Sequence, residues 1–87
     1  MSEADDRYLA EISQDCEALL RPGIDLLGLD REETHATVRL VAHYRFVGKI
    51  RESAATGETV VAAHAALRER LVFDRVRLGF EAVAWRS

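Results

Sequence analysis

At 87 residues, with 48% hydrophobic and 31% charged side chains, the chain has the composition of one ordinary globular domain, residues 1–87, burying about 60 to 65% of its unfolded surface. A formal net charge of -3 gives no long-range positive field, which argues against sequence-independent attraction to nucleic acid or an anionic membrane. Cys16 is the only cysteine, which excludes an internal disulfide and any paired-cysteine zinc or cluster site within one chain.

The segment Met1 to Arg7 carries Glu3, Asp5 and Asp6 and has no apolar core of the kind a signal peptide needs. No apolar run approaches the roughly 20 residues that cross a bilayer. The expected location is cytoplasmic, without a membrane.

Tyr8, Leu9, Ile12, Cys16, Leu19 and Leu20 recur at spacings of three and four, which predicts an amphipathic helix over 3–20. Ser2 is its expected cap, with Asp5 three residues on, and Pro22 and Gly23 its stop. Ile24 to Leu29 suits a short strand, and the charged Asp30 to Glu33 suits the turn of a hairpin. From Thr34 the chain alternates: Ala36, Val38, Leu40, Ala42, Tyr44 and Phe46 share one face, and Thr37, Arg39, Val41, His43 and Arg45 share the other.

Gly48 ends that strand, and Lys49 to Gly57 shows no clear period, so it reads as a loop or a short helical turn. Glu58 to Val72 is rich in alanine, leucine and arginine, and Val60, Ala63, His64, Leu67 and Leu71 form one apolar stripe, which predicts a second helix over 58–72. Its β-branched start, Thr59 to Val61, leaves a strand as the alternative. Val76, Leu78, Phe80, Ala82 and Ala84 alternate with Arg75, Arg77, Gly79, Glu81 and Val83, which predicts a final strand. The expected fold is α+β in the order α-β-β-α-β.

The residues that bear chemistry are scattered. His35 and His43 lie eight residues apart, roughly 26 Å along a strand, and cannot share an ion. His64 and Cys16 fall on apolar helix faces, where a bonded core histidine and a small core thiol are the ordinary roles. No serine sits in a nucleophile elbow, and the five glycines match neither the dinucleotide nor the P-loop spacing. No cofactor and no metal are therefore expected. If the two confident strands share a sheet, Arg39, His43, Arg45, Arg75 and Arg77, with Trp85 nearby, project from its outer face. Arginine and tryptophan are frequent in binding hot spots, so this face is the expected interaction surface for a protein partner or a second copy.

The layout resembles the C-terminal domain of NifU-type iron–sulfur scaffold proteins. Leu20-Arg21-Pro22 is similar to the family's end of the first helix, and Asp25 to Asp30 with Ala36 to Leu40 resembles its first hairpin. Gly48 and Thr59 have the separation of the glycine before the cluster motif and the threonine that opens the second helix. In that register the two cluster cysteines fall on Ile50 and Ser53, so the resemblance implies an assembly module, an accessory to a larger metalloenzyme or its maturation, and not a cluster carrier. Phe46 to Lys49 resembles the FxGK string of BolA-type proteins, which implies the same fold. Tyr8-Leu9, Gly23-Ile24-Asp25 and Gly57-Glu58-Thr59-Val60 resemble hot-dog acyl thioesterases. That resemblance implies a helix wrapped by sheet, an extended 58–72 segment and acyl-thioester hydrolysis or acyl binding, with Asp6 in place of the missing catalytic acid.

Overall fold

The computed structural model describes the backbone of residues 3–86 and the side chains of residues 8–81; Ser2, the expected helix cap, lies outside the described residues. Helix α1 (Glu3–Leu20) leads into three strands, β1 (Asp25–Glu33), β2 (Val38–Phe46) and β3 (Lys49–Gly57), and the chain continues in helix α2 (Val60–Arg86). The strands form one antiparallel meander in the order β1-β2-β3. Ile12, Cys16 and Leu20 of α1, Val38, Leu40, Ala42 and Tyr44 of β2, and Ala63, Leu67, Leu71 and Leu78 of α2 make one core. Both helices therefore cover the same face of the sheet, and among the described residues no helix covers the other, where Val41 is buried between neighbouring side chains. Each fully buried Leu or Ile contributes about 1.5–3 kcal/mol.

Local chemistry sets the element boundaries. Gly23, at φ 93°, takes the left-handed conformation that ends α1. Thr34 and Thr37 close the β1–β2 turn: the Thr34 N–H donates to the Thr37 carbonyl at 3.0 Å, and the two hydroxyls lie 2.6 Å apart. Val47 (φ 51°) and Gly48 (φ 75°) form the two-residue β2–β3 turn, since two successive positive φ angles match the twist of a tight hairpin. Thr59 caps α2, its hydroxyl accepting from the Ala62 N–H at 3.1 Å and its carbonyl from Ala63 at 2.9 Å.

Three expectations are corrected. Asp30 to Glu33 is not the hairpin turn but the second half of β1, which sits at the sheet edge, with Asp30 and Glu32 on the open face and Arg31 and Glu33 on the face of Leu40 and Val38. Lys49 to Gly57 is a full strand rather than a loop. The last correction is the largest, because the expected strand over 76–84 is the second half of α2, so the order is α-β-β-β-α. Leu67, Leu71, Asp74 and Leu78, all buried, follow the helical spacing of four, three and four through that region. The second helix itself stands, beginning at Val60 and running 27 residues.

Candidate functional site

The expected sheet face exists in part. In β2 the alternation turns Arg39, Val41, His43 and Arg45 outward, opposite Glu32, Asp30, Gly28 and Asp25 of β1 and Thr56, Ala54, Glu52 and Ile50 of β3. Polar contacts cross part of this face. Arg39 reaches Glu32 at 3.4 Å, and His43 lies between Asp30, 2.7 Å from Nε2, and Glu52, 3.6 Å from Nδ1. Exposed pairs of this kind contribute about 0–1 kcal/mol each.

Arg75 and Arg77 are not on that face. Both belong to α2, because the segment that carries them is helical, and they serve local contacts. The Arg75 guanidinium donates to the Leu19 carbonyl at the end of α1 at 3.0 Å, and Arg77 lies 3.6 Å from Asp74. Trp85 is in the last turn of α2, and its side chain lies outside the described residues.

Two polar clusters fasten α2 to its neighbours. At the α1–α2 seam the His64 Nε2 lies 2.9 Å from Asp15, whose other oxygen accepts from Arg68 at 2.9 Å, and the Tyr8 hydroxyl lies 3.4 Å from the His64 Nδ1. Cys16 is buried beside them. Its burial, aided by the adjacent Asp15 carboxylate and opposed by Arg68, pushes the thiol up to about 11. At neutral pH it stays a protonated, unreactive core group.

The second cluster is under the sheet. Asp74, 1% exposed, accepts from the Ser53 hydroxyl at 2.5 Å and from the Arg70 Nε at 3.1 Å, and Ser53 in turn meets the Tyr44 hydroxyl at 3.0 Å. Further along, Arg51 of β3 pairs with Glu81 at 3.1 Å. A Ser–Asp contact has the outline of an activated nucleophile, but Ser53 is only 2% exposed and no substrate can reach it. The cluster holds the distal half of α2 against β3. Among the described residues no group of three His, Cys, Asp or Glu side chains is placed to hold a metal ion.

What the alternating reading missed is the opposite side of α2. While Ala63, Leu67, Leu71, Asp74 and Leu78 point into the protein, Val72, Phe73, Val76 and Phe80 stand 50%, 60%, 56% and 71% exposed. Ala62 and Ala65 continue this outward face toward the start of the helix, and among the described residues Glu69 is the one charge within it. Helices apolar on both sides are normally covered on both sides. The signal was present in the sequence as a second stripe, Phe73, Val76 and Phe80, at spacings of three and four beside the core stripe. No helix among the described residues is long and apolar enough to cross a membrane. No family model, curated protein or solved structure matches the chain.

Proposed function

We propose that the chain is a non-catalytic protein-interaction module whose contact surface is the outward face of α2. The observation that carries this reading is the row Val72, Phe73, Val76 and Phe80, each half exposed or more, on a helix whose other side buries Ala63, Leu67, Leu71, Asp74 and Leu78. Leaving two phenylalanines and two valines in water forgoes several kcal/mol of burial that a partner recovers. The two groups best suited to nucleophilic chemistry, Cys16 and Ser53, are both buried, which supports binding over catalysis. The open sheet face is a weaker candidate, because Arg39 and His43 already have carboxylate partners beside them. A role as an accessory subunit of a larger assembly is in keeping with this surface.

The test is a comparison of the tagged wild-type chain with the double variant Phe73→Glu/Phe80→Glu in cells that express it. The wild type is expected to purify with a stoichiometric partner, either itself or another protein, and the variant to purify alone with unchanged helicity. A wild-type chain that purifies alone as a monomer contradicts the reading.

A further inference from the structure

We infer that the outward face of α2 is covered by α2 of a second copy of this chain, the two helices antiparallel about a two-fold axis near residue 78. The inference rests on the reading above that this face is the contact surface, and it names the occupant.

Four observations select a second copy in this orientation. The exposed residues Phe73, Val76 and Phe80 are spaced three and four apart, with Val83 three further on in the sequence, which is the apolar repeat of a helix that pairs with a helix. An antiparallel pair centred near residue 78 sets Val76 opposite Phe80 of the second copy, and Phe80 opposite its Val76. A large side chain thus meets a small one twice, once on each side of the axis, as a self-complementary two-fold interface requires.

Area is the second consideration. With about 150–250 Å² for a phenylalanine and somewhat less for a valine, the four exposed side chains present roughly 400 Å² of apolar surface per protomer. The pair would cover about 800 Å² from these residues alone, two thirds of the roughly 1,200 Å² at which stable interfaces begin, and the exposed Ala62, Ala65 and Glu69 stems extend the same face.

Charge decides the orientation. In a parallel pair Glu69 would face Glu69 of the second copy inside the apolar seam, a repulsion between desolvated like charges. In the antiparallel pair Glu69 lies beyond the seam, nine residues from the axis. The arginines along the rim of the face do not oppose closure as bare cations: Arg68 is held by Asp15, and Arg70 and Arg77 by Asp74. Finally, the sheet and α1 pack against the opposite side of α2, so among the described residues nothing obstructs a second helix on the outer one.

The experiment uses the full chain. Sedimentation equilibrium over a wide concentration range should show wild-type protein passing from 9.8 kDa to twice that mass. Phe73→Glu/Phe80→Glu should weaken this association at least about a hundredfold, since it places carboxylates in an apolar seam, with the far-UV circular dichroism of the monomer unchanged. Spin labels on Glu69→Cys, selective because Cys16 is fully buried, should lie about 27 Å apart along the axis in the antiparallel dimer at 1.5 Å per residue. A parallel pair holds them about 10 Å apart, and that distance would overturn the orientation. A wild type that is monomeric throughout overturns self-pairing. If that monomer still recovers another protein in stoichiometric amount, dependent on Phe73 and Phe80, the interaction reading survives its failure. A dimer indifferent to Phe73→Glu/Phe80→Glu places the interface elsewhere and overturns both.

Discussion

Asp74 is a buried carboxylate that accepts from Ser53 of β3 and Arg70 of its own helix, with Arg77 3.6 Å from its other oxygen. Removing it leaves the buried Ser53 hydroxyl without its acceptor and frees two half-exposed arginines, whereas removing Ser53 deletes the bonds to both Asp74 and Tyr44. Asp74→Ala and Ser53→Ala are therefore each expected to destabilise the fold by about 1–3 kcal/mol, measured by urea unfolding. A variant of either residue as stable as the wild type would contradict a structural role for the buried Ser53–Asp74 pair. Cys16 gives a pH prediction. Its thiol is raised from 9.0 to about 11, so the folded state prefers the protonated form more than the unfolded chain does. The stabilisation is fully present below about pH 9 and is lost as pH rises through about 11. The wild type should lose roughly 2–3 kcal/mol more than Cys16→Ala over that window, read from unfolding curves at pH 8 and pH 11.

Among the elements, the β2–β3 turn and the start of α2 are the points under most conformational demand. Val47 holds φ 51°, a region where a β-branched side chain is strained and asparagine is at ease. Val47→Asn is expected to raise stability by about 1 kcal/mol, visible as a higher urea midpoint. Gly57 ends β3 directly beneath α2, and a Cβ there would lie 2.5 Å from the Ala63 backbone nitrogen and 2.7 Å from the Ala62 carbonyl carbon. Gly57→Ala should cost about 1–3 kcal/mol, because backbone and not a side-chain tip must move. The same crowding explains why β3 was illegible in the sequence. Its inward positions hold Arg51, Ser53 and Ala55 opposite Tyr44, Ala42 and Leu40, small or polar because α2 lies close and supplies Asp74 and Glu81 as partners. No apolar alternation was there to find. α2 failed for the opposite reason, having too many apolar residues. Its core stripe and its outward stripe interleave, and over 76–84 their sum alternates as a strand would. β2 and α1 were legible because each sets a regular apolar face against the core, Val38, Leu40, Ala42 and Tyr44 in β2 and Ile12, Cys16 and Leu20 in α1.

At the scale of the whole molecule, 48 × 22 × 17 Å, α2 spans about 40 Å and forms the long axis, with the sheet and α1 on one flank and open apolar surface on the other. Arg39, His43 and Arg45 share one face of β2, because strand alternation fixes a face without knowledge of the fold. Arg75 and Arg77 joined them only through the expected last strand, and they left the site when that segment proved helical. The surface that distinguishes the molecule is therefore on the helix. A dilution series of amide NMR spectra tests this most directly. Concentration-dependent shifts should cluster at positions 69–80 of α2 and spare Arg39, His43 and Arg45. Shifts centred on the sheet, or spectra unchanged by dilution in a protein that also purifies without a partner, would contradict the assignment of the contact surface to α2.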